Sequence, residues 1–149
     1  MTGRSVSPPS PWWGPIGDPR LASRSRLAAQ GIRAGLHEPL SEAAIVVADY
    51  VRCGPRRALA TARMAVEHNP EPAVRRVRAP LVVLRGEHDP IASEEWCRRL
   101  AGLALCGRSG TVAGQWHAAH YSDPVAVAAM LEPFMAEVEC GACKNPSTS

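Results

Sequence analysis

The sequence predicts an α/β layer structure, a helical region followed by the strand, helix, strand and helix of a parallel sheet. Three observations carry that prediction. Leu81-Val82-Val83-Leu84 is apolar on both faces and sits between Ala79-Pro80 and Gly86, the pattern of a buried parallel strand. Two helix starts follow it. Ser93 precedes Glu94 and Glu95, and Asp123 precedes Pro124. Between those two helices, a weaker extended stretch at residues 109–113 supplies a second strand.

Taken in order, residues 1–19 hold five prolines and read as irregular coil. Residues 20–79 read as helical. Leu21, Leu27, Ile32 and Leu36 fit one helix that ends near Gly35 and the Glu38-Pro39 step. Ser41 is placed to cap the next helix, with Glu42 in its first turn and Ile45, Ala48 and Val51 (or Val46 and Tyr50) turned inward. Gly54-Pro55 stops that helix and opens a third, on which Leu59, Ala62 and Val66 share a face. From residue 80 to 139 the α/β pattern takes over. Trp96, Leu100 and Leu103 mark the inner face of its first helix, and Pro133 is expected to kink or shorten its last one. Residues 140–149 read as a disordered tail.

Composition narrows the class. A chain of 149 residues, 46% hydrophobic and 21% charged, is the size and make-up of one globular domain. Its unbroken apolar stretches, such as residues 43–48, are far short of the ~20 needed to span a bilayer. The start carries one Arg and no apolar stretch behind it, so a cytoplasmic protein without a secretory leader is expected. Arg supplies 16 of the 17 basic residues, but they are dispersed and not interleaved with aromatics. No nucleic-acid surface is read from them. Five cysteines at irregular spacing argue against a disulfide framework, and the C-x-x-C of Cys140 and Cys143 lies in the tail with no second pair to complete a zinc site.

The chemistry is concentrated in two loops. Arg85-Gly86-Glu87-His88-Asp89-Pro90 follows the first strand, and Gly114-Gln115-Trp116-His117-Ala118-Ala119-His120-Tyr121 follows the second. Parallel strands deliver both loops to one carboxyl edge, where α/β proteins place their sites. An Asp on one loop and a His on the other suit a nucleophilic hydrolase: the carboxylate fixes the tautomer and stabilises the imidazolium, while the second ring nitrogen takes a proton. Asp89 is the acid of the first loop, and His117 and His120 are the imidazoles of the second, with His88 and Trp116 beside them. His88, Asp89, His117 and His120 would also be chemically acceptable metal ligands. No H-E-x-x-H or second C-x-x-C accompanies them, and no metal site is assigned.

Here a resemblance enters. The segment PLVVLRGEHDPI, followed by a helix, a strand and GQWHAAHYSDP, resembles the C-terminal end of the α/β-hydrolase family. The resemblance implies a partial α/β-hydrolase fold in which Asp89 is the triad acid, His117 the base and Pro124 the opening of the last helix. Residues 20–79 then resemble a helical lid, reached from a preceding strand through WGPIGDPR. Two features depart from the family. The chain has no G-x-S-x-G nucleophile elbow, and Trp116 stands where small residues are common. Losing a triad serine costs about a millionfold in turnover, so the chain alone is expected to be inactive. The resemblance implies hydrolysis of a small apolar ester, or of a carbon–carbon bond, without a cofactor. The partner expected is an upstream-encoded hydrolase half or a second copy of the chain. The alternative reading is a truncated, non-catalytic protein that acts only by binding.

Overall fold

The computed structural model describes residues 10–13, 17–21 and 23–140. Cys143, most of the Pro-rich start and the expected tail beyond Cys140 lie outside the described residues. Within them the order is β1 (Ser10–Trp13), a 3-10 turn (Pro19–Leu21), α1 (Arg24–Gly35), α2 (Leu40–Cys53), α3 (Pro55–Glu67), α4 (Glu71–Val74), β2 (Leu81–Gly86), α5 (Glu94–Leu103), β3 (Gly107–Val112), α6 (Ala119–Ser122) and α7 (Pro124–Glu139). The described residues contain no helix long and apolar enough to cross a membrane.

The sheet has three strands in the order β1-β2-β3, all parallel. This corrects the coil expected at the start of the chain. Ser10 to Trp13 pair with Leu81 to Leu84, and an edge strand tolerates the missing N–H of Pro11. On the other side Leu81 lies opposite Gly107 and Gly86 opposite Val112, so β2 and β3 end level.

Side chains alternate across β2, and each face is covered by a helix. Leu81 and Val83 pack with Val74 of α4 and with Trp96, Cys97, Leu100 and Ala101 of α5. Val82 and Leu84 pack on Phe134 and Val138 of α7. The result is a helix–sheet–helix sandwich whose centre is β2, buried along its whole length. Each such aliphatic or aromatic side chain contributes roughly 1.5–3 kcal/mol on burial. β3 exposes Arg108 and Ser109, and at Gly110 there is no room for a side chain. A Cβ at Gly110 would meet the side chains of Met130 and Leu84.

The expected caps are present on both core helices. Ser93 accepts from the Trp96 N–H, and Asp123 accepts from the Ala126 N–H. Ser41 does not cap α2. That helix starts at Leu40 with Pro39 before it, and the Ser41 hydroxyl instead accepts from the Tyr121 hydroxyl. α7 runs through Pro133 to Glu139 without being shortened. Cys106 is disulfide-bonded, which the cysteine count did not foretell.

The helical region departs furthest from expectation. Ile45, Val46, Tyr50 and Val51 are all exposed, as is Leu59, so the faces expected to turn inward are only partly covered among the described residues, with Ala48, Ala62 and Val66 half-buried. Leu36, Leu40 and Val51 are 77%, 88% and 77% exposed. The segment is held to the core at its ends instead. Asp18, buried just after β1, accepts from both the Ser93 N–H and the Ser93 hydroxyl, and pairs with Arg20. Burial alone would raise its pKa; the hydrogen bonds from Arg20 and Ser93 outweigh it and hold the carboxyl below the ordinary value.

Two substitutions separate core from tether. Leu100→Ala removes a fully buried side chain between α5 and β2, and is expected to cost about 2–5 kcal/mol in urea unfolding. Leu40→Ala, at a similarly large but exposed position, is expected to change stability by no more than about 0.5 kcal/mol.

Candidate active site

The site forms where β2 and β3 end side by side. Their two loops are joined by backbone bonds, Glu87 N–H to the Val112 carbonyl and His88 N–H to the Gln115 carbonyl, both 2.9 Å. The Glu87 carboxylate adds a third link, accepting from the Gly114 N–H at 2.7 Å. Gly86 is required at this crossing. A Cβ there would collide with the carbonyls of Gln115 and Trp116, so no side chain fits beneath the second loop.

The first loop is built around two buried charges. Arg85, 8% exposed, donates from Nε to the Ala92 carbonyl (2.7 Å) and from Nη2 to the Glu87 and Asp89 carbonyls (3.0 and 3.3 Å). Asp89, 4% exposed, accepts the Ile91 and Ala92 N–H groups on Oδ1, at 2.7 and 3.1 Å. Its other oxygen, Oδ2, lies 2.9 Å from Nδ1 of His117. Asp89 and His117, on different loops and 28 residues apart in sequence, are therefore in direct contact.

His117 keeps 29% of its side chain exposed, and its pKa is raised above the ordinary value. Burial is the largest single influence and pulls it down. The hydrogen bond and charge of Asp89, with the charges of Glu38 and Glu42, pull it up and prevail. The pairing places the Nδ1 proton toward Asp89, so that in the neutral ring Nε2 is the nitrogen that carries the lone pair.

The remaining candidates take different places. Trp116 stacks on His37 from the α1–α2 connection, with centroids 3.7 Å apart and planes 13° from parallel, and His88 is tilted beside it at 5.5 Å. His120 is exposed on α6. Cys97 is buried under α5, and burial pushes its thiol up to about 12, which keeps it protonated and non-nucleophilic. Among the described residues no group of three or more His, Cys, Asp and Glu side chains could hold a metal ion.

Sequence reasoning missed the acids from the helical region. Glu38 accepts from the Ala118 N–H at 2.7 Å and from the Ser122 hydroxyl at 3.2 Å, tying the helices to the residue after His117. Glu42 is pushed above the ordinary carboxyl range, first by burial and then by the neighbouring Glu38 charge. The sequence signal for Glu42 was an acid in the first turn of a helix, which ordinarily marks the helix dipole alone, and Glu38 stood only in the step that ends the first helix.

The His117–Asp89 pair gives a titration that can be read directly. By NMR, His117 is expected to titrate above 6.5. In Asp89→Asn, where burial and the Glu38 and Glu42 charges remain but the largest upward influence is gone, it is expected to titrate lower than in the unaltered protein. Because the folded pKa is raised, the pair's contribution to stability is fully present below about pH 6.5. It fades as pH rises through the folded value. A His117 that titrates identically in both proteins contradicts this account. Gly86→Ala is expected to displace the 115–117 backbone and to lower the His117 value in the same way.

No family model and no curated protein sequence matches the chain. Several solved structures resemble it, among them the following three. BpoC from Mycobacterium tuberculosis, assigned as a non-heme bromoperoxidase, superposes on 92% of this chain and 60% of its own, with 19% identity and a TM-score of 0.52. Proline iminopeptidase from Mycobacterium smegmatis matches 81% of this chain and 56% of its own (19% identity, TM-score 0.45). E-2-(Acetamidomethylene)succinate hydrolase matches 51% and 28% (24% identity, TM-score 0.44). The chain thus spans less than two thirds of the length of each. With three parallel strands, helices on both faces and the acid and imidazole loops at one edge, the chain carries part of the α/β-hydrolase fold.

Proposed function

We propose that this chain is the acid–base portion of a serine-type hydrolase that cleaves a small apolar ester. The observation that supports it is the 2.9 Å contact between His117 Nδ1 and a buried Asp89. In this reading a serine supplied with the G-x-S-x-G half attacks the ester carbonyl. His117 Nε2 takes the serine proton, and Asp89 stabilises the imidazolium that results. The tetrahedral intermediate collapses, breaking the bond to the leaving alcohol, which receives that proton from His117. Water then attacks the acyl-enzyme by the same route in reverse. A carbon–carbon bond is the other substrate bond this machinery serves. No dissociable cofactor enters any step.

In a second reading the chain is non-catalytic and acts by binding, either to an upstream-encoded half or to another copy of itself. The apolar side chains left uncovered on α1, α2 and α3 favour it.

The two readings differ in a labelling experiment. The purified chain is expected not to react with a serine-directed fluorophosphonate. Co-expressed with an upstream-encoded half carrying G-x-S-x-G, the complex is expected to label and to hydrolyse a p-nitrophenyl ester. Its rate should rise with pH through the raised His117 value, because only the neutral ring accepts a proton, and His117→Ala should abolish it. Complex formation without labelling supports the binding reading. Labelling of the chain alone contradicts the proposal that its nucleophile comes from elsewhere.

A further inference from the structure

A cavity of about 600 Å³ opens between α1 and the Asp89 loop. His117 does not line it, so it is distinct from the ring face on which proton transfer would occur. Its walls are rich in guanidinium groups: Arg20, Arg26 and Arg33 from the helical side, and Arg85 from the end of β2. The positions 26, 30 and 33 recur at helical spacing, so Arg26, Gln30 and Arg33 lie along one face of α1.

The charge balance of this cavity is one-sided. Arg20 is neutralised by Asp18, and Glu94, the wall's exposed acid, is paired with Arg98. Asp89 spends its carboxylate on two backbone N–H groups and on His117. Among the described residues, Arg26, Arg33 and Arg85 have no carboxylate within ion-pair distance. Arg26 makes one long contact to the Arg20 carbonyl. Arg85 uses Nε and Nη2 on backbone carbonyls, and its Nη1 makes no hydrogen bond with any described residue. A buried guanidinium facing only carbonyl dipoles carries an uncompensated charge, and such charges are ordinarily paired.

Gln30 also lines the cavity. A half-turn of the amide exchanges its oxygen for an NH2, so Gln30 can either accept from a hydroxyl or donate to an oxyanion. A cavity of this volume is in the range that holds small-molecule ligands.

We propose that this cavity is a binding site for a small dianion, whose oxyanion groups are held by Arg26, Arg33 and the Nη1 of Arg85, with Gln30 beside them. Carboxylate and phosphate share the required chemistry, because the guanidinium fork fits both bidentately. An occupant would supply the counter-charge that Arg85 lacks and so brace the turn that carries Asp89. The site does not depend on the hydrolase reading and is tested without turnover.

The test is titration of the purified chain with glutarate, with inorganic phosphate and with neutral dimethyl glutarate, followed by calorimetry and by amide shifts around residues 26–33 and 85–94. Saturable binding of glutarate or phosphate is expected, weakened by added salt, and absent for the dimethyl ester. The tighter of the two anions identifies the oxyanion. Arg26→Gln/Arg33→Gln changes two exposed side chains, leaves the core intact, and is expected to weaken binding at least about tenfold. His117→Ala is expected to leave it unchanged. Three results overturn the proposal: failure of both anions to saturate, equal binding of the dimethyl ester, or unaltered affinity in the double variant.

Discussion

The Arg85 guanidinium is the constraint around which the site is assembled. It is buried at the end of the central strand, and it gathers the carbonyls of Glu87, Asp89 and Ala92 onto one planar group. Three residues of a turn are thereby fixed relative to a β-strand, which backbone pairing alone does not achieve. The turn in its fixed form points the Ile91 and Ala92 N–H groups at Asp89 Oδ1. One carboxylate oxygen is thus occupied and the other is left for His117. The orientation of the imidazole follows from a cation that never touches it.

The second requirement is that two loops arrive together. The register of β2 against β3 brings Gly86 opposite Val112, so both chains leave the sheet at one level. The absence of a side chain at Gly86 then lets the Gln115–Trp116 backbone pass directly over the strand end. With a Cβ there, the second loop would have to rise, and a hydrogen bond of 2.9 Å does not survive a shift of an ångström or more.

The parts legible in sequence were those with a local cause. A doubly apolar run gave β2, and capping residues gave the starts of α5 and α7. The meeting of Asp89 and His117 was readable because parallel strands put both loops on one edge. Features that depend on distant partners were not legible. Ser10 to Trp13 carry no strand pattern around Pro11, yet they pair because β2 offers a free edge. Arg85 read as one more dispersed arginine, since nothing local announces three converging carbonyls. Asp18 was one residue of the WGPIGDPR stretch and Glu38 part of the step that ends the first helix; their partners, Ser93 and Ala118, are 75 and 80 positions away. The apolar spacing of α2 was real, but periodicity says only that one side of a helix is greasy. It does not say that something covers it.

The helical segment is fastened at three places. At one end Asp18 is bonded to Ser93, near the α1–α2 connection His37, Glu38 and Ser41 hold Trp116, Ala118 and Tyr121, and after α3 the Val74 side chain of α4 is packed into the core. A body fastened at separated points cannot swing as a door does about one hinge. The helices between the fastenings can only flex, and because α3 lies against α1 a load on one is shared with the other. Mechanical coupling to the imidazole runs through the middle fastening, where Glu38 and Ser41 grip the loop that carries His117.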